Sequence, residues 1–257
     1  MIFARRLDGH LWTPVDSLPV GDRGFRYGMS VFETVAVAHG RLLFWTGHVE
    51  RLARAVADCG GRLPAIPEVA VPLRASGLLR LYATAGFGGP GDAFCGEVYA
   101  FFESAEVGWD LAPVRIASSA APYLPRPGGW KSGNYWQNID AWNAARRSGC
   151  DEALVFNPAG MLVGASMANI FLLLDSGWST PCLESGARPG AVREWVMCSR
   201  GIGEDFLDAA ACASCRAAFL TSSRIGLRPV AELDGRPLEI ESVRAFQTNY
   251  FHDIFAG

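Results

Sequence analysis

Residues 121–129 read Ala121-Pro122-Tyr123-Leu124-Pro125-Arg126-Pro127-Gly128-Gly129, and this stretch decides how the chain is expected to divide. Proline lacks a backbone donor and glycine is conformationally free, so the stretch disfavours a regular helix or strand. Such a composition is typical of a linker between folded units. We therefore predict an N-terminal α/β domain over 1–120, an interdomain linker over 121–129 and a C-terminal domain over 130–257.

Strand and helix patterns occur on both sides of this linker. Apolar residues recur at roughly helical spacing over 43–59, and Pro189-Gly190 introduces a second helix that continues to Cys198. We further predict a helix over 134–148 and strands over 78–84, 98–103, 114–118, 153–156, 169–174 and 218–221. Because both halves mix strands and helices, the predicted fold class is α/β, or mixed α+β, in two domains.

Length and composition predict a soluble globular protein. Half of the 257 residues are apolar, which is enough for a large core. The net charge is −3 and no run of Lys or Arg occurs, which argues against non-specific nucleic-acid binding. The opening MIFARRLDGHLWTPVD lacks an apolar segment of signal-peptide length, and no apolar run approaches the ~20 residues that span a bilayer. We therefore expect a cytoplasmic protein without nucleic-acid or membrane partners.

The seven cysteines are odd in number and scattered, which favours reduced thiols over a disulfide framework. Cys212-Ala213-Ser214-Cys215 forms a CxxC motif. A structural zinc ion usually needs four ligands, and neither a second CxxC nor a pair of histidines accompanies this motif. A zinc or redox role at Cys212 and Cys215 is the minor alternative, and we predict no metal site.

Lys131 is the only lysine in the chain and follows the predicted linker directly, in the segment Gly129-Trp130-Lys131-Ser132-Gly133-Asn134-Tyr135. The other strongly basic side chains are Arg, which cannot easily lose a proton. A desolvated Lys can lose one, and can then form a Schiff base. The alternative is a stray surface residue in a chain whose codon bias removed other lysines. The motifs around it favour the chemical role.

Two N-terminal motifs carry a family resemblance. They are Asp22-Arg23-Gly24-Phe25-Arg26-Tyr27-Gly28-Met29-Ser30-Val31-Phe32-Glu33-Thr34 and His48-Val49-Glu50-Arg51-Leu52. Both resemble the signature of the class IV aminotransferases, the fold-type IV enzymes that use pyridoxal 5′-phosphate (PLP). This family includes branched-chain amino acid aminotransferase, D-amino acid aminotransferase and aminodeoxychorismate lyase. Further similar segments follow in the family's order at Lys131, 169–171, 180–181, 188–193 and 221–230, so the resemblance covers nearly the whole chain.

The resemblance implies roles for the cofactor-binding residues. Lys131 would carry PLP as a Schiff base and would move a proton to and from the substrate. Arg51 would hold the phosphate by charge-assisted hydrogen bonds, unless it is an ordinary solvated helix arginine. The remaining phosphate contacts would come from a helix start and a loop of small polar residues, namely Gly190, Ala191, Val192, Ser222 and Ser223. The C-terminal domain would then be the PLP-binding domain, and a homodimer is implied because family active sites lie near a subunit interface.

The resemblance also implies a substrate pocket lined by Tyr27, Phe32, Arg80 and Tyr135. Each of these could equally be a core aromatic residue or a charge at a strand end. Two departures from the family pattern affect binding of the substrate and of the cofactor phosphate, respectively. Ala85 stands where the family often has Arg, and Val192 stands where it usually has Thr.

Gly164 is the departure with the largest consequence. In the family a glutamate lies five residues before the Asn of the Asn-Ile-Phe element, here Asn169, and keeps the pyridine nitrogen of PLP protonated. Without that acid the ring would be a weaker electron sink. The expected function is amino-group transfer between a small amino acid and a 2-oxo acid. The alternatives are aminodeoxychorismate lyase, which eliminates pyruvate to give 4-aminobenzoate, and a PLP-binding or cofactor-free homologue without transaminase activity.

Overall fold

Packing contacts divide the chain into two compact units, each with its own sheet. The structure is a computed structural model and describes residues 1–105 and 112–255. The first unit comprises Met1–Val107 with Trp130–Tyr135, and the second comprises Gly108–Gly129 with Trp136–Gly257. Each unit contains strands and helices. The predicted two-domain, mixed α/β class is therefore confirmed.

The first unit is built on a six-stranded antiparallel sheet with the order β2-β1-β6-β5-β3-β4. Its elements are β1 (Ile2–Asp8), β2 (Leu11–Pro14), α1 (Arg23–Tyr27), β3 (Ser30–Ala38), β4 (Arg41–Leu42), α2 (Trp45–Asp58), β5 (Gly77–Thr84) and β6 (Glu97–Ser104).

The two faces of β3 have different surroundings. Val31, Val35 and Val37 are buried in the core of the first unit, whereas Phe32 and Thr34 are only half-buried. Successive strand residues point to opposite faces, so Glu33 falls on the same face as the three valines. Helix α2 packs against β3 and buries residues 48, 51, 52, 55 and 56, which share one side of a helix. The same α2 stripe therefore carries core and candidate functional residues.

The second unit contains a nine-stranded mixed sheet with the order β12-β11-β10-β13-β14-β7-β8-β9, and β15 pairs with β14. Its elements are β7 (Val114–Ser118), α3 (Trp136–Arg147), β8 (Glu152–Phe156), β9 (Leu162–Ala165), β10 (Asn169–Leu174), β11 (Gly177–Pro181), α4 (Ala191–Arg200), β12 (Gly203–Asp205), α5 (Ala209–Ser214), β13 (Ala217–Ser222), β14 (Gly226–Leu233), β15 (Arg236–Pro237) and α6 (Glu241–Phe255).

Packing groups the chain differently from the predicted limits of 1–120, 121–129 and 130–257. Strand β7 pairs with β14 and β8, so it belongs to the second unit. The proline-rich stretch also packs there, since the Tyr123 N–H donates to the Phe156 carbonyl oxygen at 2.8 Å. Trp130–Tyr135, in contrast, belongs to the first unit. Backbone pairing across long sequence separations causes both differences, and composition does not reveal it.

The predicted helices over 43–59, 134–148 and up to 198 correspond to α2, α3 and α4, and each predicted strand overlaps a strand of the structure. The sequence motif at 22–34 does not predict a strand over 30–38, where the structure has β3. It also missed α5 and α6. In the described part of the chain no helix combines the length and apolar character needed to cross a membrane.

Candidate active site

Lys131 lies beside the first half of β3. Its carbonyl oxygen accepts a hydrogen bond from the Phe32 N–H at 2.9 Å. The next residue, Ser132, pairs antiparallel with Val31. Because β5 pairs with the opposite edge of β3, the segment Trp130–Tyr135 extends the first unit's sheet on the edge that β5 leaves open. The lysine is thereby held by backbone pairing rather than on a solvated loop.

Two aromatic rings contact the Lys131 amine. Its Nζ lies 5.2 Å from the centre of the Phe32 ring and 5.5 Å from that of Tyr135, and 3.5 Å from the Tyr135 hydroxyl oxygen. Phe32 meets Tyr135 edge to face and stacks on Tyr82, each at 5.4 Å between ring centres. The structure thus brings together three predicted residues. Tyr82 was missed, and the register that pairs it with Phe32 is the signal that finds it.

Glu33, His48 and Arg51 form a buried polar cluster between β3 and α2. The Glu33 Oε2 lies 2.7 Å from His48 Nδ1 and 3.5 Å from Arg51 Nε. Arg51 Nη2 also lies 3.0 Å from His48 Nδ1. All three residues are less than one-tenth exposed, so Arg51 is not the solvated helix arginine of the alternative interpretation. Glu33 and His48 lie in the two N-terminal motifs, but the sequence alone predicts no role for either residue.

The charge states in this cluster follow from burial and from neighbouring charges. Burial acts to raise the pKa of Glu33, yet the hydrogen bond from His48 and the nearby charges of Arg51 and Lys131 bring that pKa below its usual 4.5. Burial lowers the pKa of His48 below its usual 6.5, and Arg51 and Lys131 add to this effect while Glu33 opposes it. We therefore assign an ionised Glu33 that accepts a hydrogen bond from a neutral His48.

Acidification is expected to destabilise the protein through His48. Because the folded pKa is depressed, the unfolded chain binds a proton below pH 6.5 where the folded chain does not. The stability that depends on neutral His48 is thus present above pH 6.5 and is lost as the pH falls through the folded pKa. Denaturant unfolding from about pH 7.5 to about pH 5 should give a flatter profile for His48→Asn than for the native protein. The exposed His10 provides the control, and an equal flattening in His10→Asn would contradict the assignment.

Tyr27 and Arg80, the other two predicted pocket residues, contact different partners. The Tyr27 hydroxyl oxygen accepts a hydrogen bond from Arg26 at 2.8 Å, and the Arg26 guanidinium lies 4.8 Å from the Tyr27 ring centre. Arg80 forms an ion pair with Glu103 at 2.9 Å. Arg80 also lies two residues from Tyr82 on β5, so the two side chains share one face of the strand.

In the second unit Gly190, Ala191 and Val192 form the start of α4. Gly190 is the N-cap, and no side chain caps this helix end. The first N–H groups of a helix lack partners within it, and the helix dipole makes this end positive. The backbone of Ala191 and Val192 therefore offers donors to an anion, and its role in holding a phosphate stays a prediction.

Asn169 connects the start of α4 to the end of β13. Its side-chain nitrogen donates to the Arg188 carbonyl oxygen at 2.8 Å. Its side-chain oxygen occupies the space that a Cβ on residue 190 would need, so glycine is required there. Asn169 also pairs with Thr221, and the next residue, Ser222, ends β13. The helix start and Ser222 thus lie close to the same asparagine.

The Thr221 hydroxyl is a polar group that sequence reasoning missed. Thr221 is fully buried, and its Oγ1 has no hydrogen-bond partner within the described residues. Leaving a buried hydroxyl unbonded is unfavourable. Residues that pair directly across strands share a face of the sheet, so this hydroxyl is on the same face as Asn169.

Gly164 adopts a backbone conformation that favours glycine. It lies in β9, pairs with Val155 next to an irregularity in the register, and has φ +155°. A Cβ at this position would lie 3.3 Å from the Ala168 carbonyl oxygen. A side chain at this position, that of glutamate included, would therefore be strained.

Glu152 is the buried acid among the described residues of the second unit. Its carboxylate accepts hydrogen bonds from the Ser166 hydroxyl, from the Ala153 N–H at 2.8 Å and from the Met167 N–H at 3.2 Å. Burial raises its pKa above the usual 4.5, although these hydrogen bonds oppose the change. The acid is therefore used to hold the loop that follows β9.

The CxxC motif lies in and directly after α5 and is buried. Burial, with a smaller effect of Cys215, raises the pKa of Cys212 to about 12. Burial also raises the pKa of Cys215, against a hydrogen bond from Arg236. Both thiols are thus held in their unreactive protonated form. All seven cysteines are free, and in the described part of the chain no group of His, Cys, Asp and Glu side chains is arranged to hold a metal ion.

Comparison with known proteins shows relatives along most of the chain. The chain is 26% identical over 245 residues to a putative branched-chain-amino-acid aminotransferase of Methanocaldococcus jannaschii, covering 87% of this chain and 85% of the relative. It is 24% identical over 199 residues to aminodeoxychorismate lyase of Vibrio harveyi, covering 72% of this chain and 73% of the relative. Its fold matches the branched-chain aminotransferase of Thermoproteus uzoniensis with a TM-score of 0.84 and 21% identity over 99% of this chain and 94% of that chain.

The family itself is established by a match along most of the sequence. The family model Amino-transferase class IV matches residues 30–233. This range runs from the first residue of β3 to the last residue of β14, so it includes Lys131, Arg51 and the start of α4. Enzymes of the family depend on PLP. The chain therefore belongs to the class IV aminotransferases and is an enzyme of that family.

Proposed function

We propose that this enzyme uses PLP to transfer an amino group between a small amino acid and a 2-oxo acid. The observation that carries the proposal is the position of Lys131. The chain's only lysine is held by backbone pairing beside β3, and its amine contacts Phe32 and Tyr135. When bound, PLP supplies an electrophilic carbonyl group and an electron sink for the substrate carbon.

The residues fit PLP in both units, each considered by itself. In the first unit Lys131 offers the amine, and the buried Arg51 offers a guanidinium that an ion pair with Glu33 orients. In the second unit the uncapped start of α4 and the buried, unbonded Thr221 hydroxyl offer donors near Ser222. A phosphate is the kind of group that such a helix start accepts.

Lys131 has two tasks in the proposed reaction. Its Nζ binds the cofactor in the resting enzyme, and it later takes a proton from the α-carbon of the amino acid and returns it. The Tyr135 hydroxyl, 3.5 Å away, orients the amine, and the Phe32 ring excludes water from one side. Tyr27 and Arg80 are proposed to line the substrate pocket with Phe32 and Tyr135.

Aminodeoxychorismate lyase chemistry is the second candidate. The similarity to the Vibrio harveyi lyase supports it. The absence of a carboxylate at Gly164 also favours it, because formation of an aromatic product drives a reaction that tolerates a weaker electron sink. A homologue that binds PLP without turnover is the third candidate, because Gly164 lacks the carboxylate that would strengthen the electron sink.

A donor screen separates these candidates. The purified enzyme, supplied with PLP, is incubated with single amino acids and 2-oxo acids, and in parallel with aminodeoxychorismate. New amino acid in the first set supports transfer, whereas pyruvate and 4-aminobenzoate in the second support the lyase. If neither product forms while PLP is bound, the proposal of catalytic turnover is wrong.

Removal of Arg51 is expected to weaken PLP binding about tenfold to about a hundredfold, because a charge-assisted contact contributes about 1.5 to 3 kcal/mol. Ser223→Ala should have a smaller effect, since a neutral hydroxyl contributes less. Equilibrium dialysis of Arg51→Ala, Ser223→Ala and the control Arg54→Ala measures this order. Arg54 is exposed on the same helix. An unchanged dissociation constant in Arg51→Ala would show that the phosphate lies elsewhere.

We also propose, from the family resemblance and the composition, that the enzyme is a cytoplasmic homodimer. Sedimentation of the purified protein tests the oligomeric state. Fractionation of the source cells tests the location.

A further inference from the structure

His48 lies in the buried polar cluster and meets both of its charged members with one ring nitrogen. The His48 Nδ1 is 2.7 Å from Glu33 Oε2 and 3.0 Å from Arg51 Nη2. Burial is the largest effect on the pKa of His48 and lowers it, so the ring is neutral and carries a single N–H group. The Nδ1 atom can therefore donate to Glu33 or accept from Arg51, but it cannot do both.

The ionised Glu33 selects between these two arrangements. If Nδ1 carried no hydrogen, its lone pair would face the Glu33 Oε2 at 2.7 Å, and two acceptors at that distance repel each other. The Nδ1–H form instead gives a hydrogen bond to a charged acceptor, which is the stronger kind. The geometry thus assigns the hydrogen to Nδ1, with Glu33 as its acceptor.

This hydrogen bond also sets the distance between Glu33 and Arg51. The Glu33 Oε2 is 3.5 Å from Arg51 Nε, which is longer than the about 2.7 to about 3.2 Å of an N–H···O hydrogen bond. Glu33 is therefore hydrogen-bonded to His48 and attracts the Nε end of Arg51 by charge. Without His48 the carboxylate could approach Arg51 and accept its N–H groups in a forked pair.

We propose that His48 is a positioning residue whose Nδ1–H group holds the Glu33 carboxylate back from Arg51 and so keeps the guanidinium available to the cofactor phosphate. This inference rests on the proposed function, which assigns the phosphate to Arg51. His48 acts in this role only through Glu33. Its effect is therefore on the affinity for the phosphate group, and not on the bond between the cofactor and Lys131.

The test compares PLP with pyridoxal, which lacks the phosphate, by absorbance titration of the cofactor-depleted enzyme. His48→Leu should weaken PLP binding by about threefold to about tenfold, less than Arg51→Ala does, because the effect of His48 is indirect. Pyridoxal binding should change by less than about twofold. His48→Asn should keep the native affinity for PLP, because its side-chain nitrogen is as many bonds from Cα as Nδ1 and can donate to Glu33.

Val56→Ala is the matched control for packing. Val56 is buried on the same side of α2 and, being apolar, makes no side-chain hydrogen bond. Its replacement should lower stability in denaturant and leave the ratio of the PLP and pyridoxal affinities unchanged. An equal change of that ratio in Val56→Ala, or a loss in His48→Asn as large as in His48→Leu, would overturn the proposal.

Denaturant unfolding checks that each variant is folded, and His48→Ala is a second variant that removes the N–H group. An unchanged ratio in folded His48→Leu or His48→Ala would also overturn the proposal. Arg51→Ala is titrated beside them. If Arg51→Ala leaves the ratio unchanged, the phosphate lies elsewhere and the proposed role of Arg51 is wrong. If Arg51→Ala changes the ratio and the His48 variants do not, only the role of His48 is contradicted.

Discussion

Borohydride reduction of the protein with excess PLP is expected to leave a pyridoxyl mass on the peptide that contains Lys131. A Schiff base forms on a deprotonated amine, and this residue is the only lysine. Its amine is held against Phe32 and Tyr135 rather than in bulk solvent. Lys131→Arg should lose the label completely, because Arg does not readily form the imine. Amino-group transfer should fall by about 10²- to about 10⁴-fold, the typical contribution of a positioned general base.

The arginine variant separates chemistry from folding. Arg retains the positive charge and can still stack on Phe32 and Tyr135, so unfolding in denaturant should be nearly unchanged. Peptide mapping distinguishes the label at Lys131 from a label at the terminal amine of Met1. A missing label in the native protein, or an equal label in folded Lys131→Arg, would show that PLP is not carried here.

Replacement of Arg23 by Gln is expected to lower the free energy of unfolding by about 3 to about 5 kcal/mol. Arg23 is fully buried at the start of α1. Its guanidinium donates to five backbone carbonyl oxygens of one loop, those of residues 85, 86, 89, 92 and 93. Gln has too few donors to replace them, so several buried carbonyl groups would lose their partners.

Arg26→Gln is the matched control for Arg23→Gln. Arg26 is exposed on the same short helix, so its replacement should change stability by less than about 0.5 kcal/mol. Arg23→Lys should fall between the two, because Lys keeps the charge but loses the planar set of five donors. Urea unfolding of the three variants measures the order. Equal stability of Arg23→Gln and Arg26→Gln would contradict the role of Arg23 in holding the loop.

Local sequence patterns were sufficient for most elements and for the family. Helix α2 could be predicted because its buried positions repeat every three to four residues, which is a property of neighbouring residues alone. The single lysine and the motifs at 22–34 and 48–52 pointed to PLP chemistry because residue type decides which reactions are available.

Tertiary structure decided what depends on residues far apart in the chain. The proline-rich stretch packs in the second unit while Lys131 pairs with β3, because backbone hydrogen bonds select partners regardless of composition. Tyr82 reaches Phe32 through strand register, and Glu33 meets Arg51 because α2 packs on β3. The sequence by itself determined the single lysine, the family and the periodic elements. The spatial neighbours of these residues followed only from packing. The charge states of Glu33 and His48 also followed only from packing, because burial and nearby charges set a pKa.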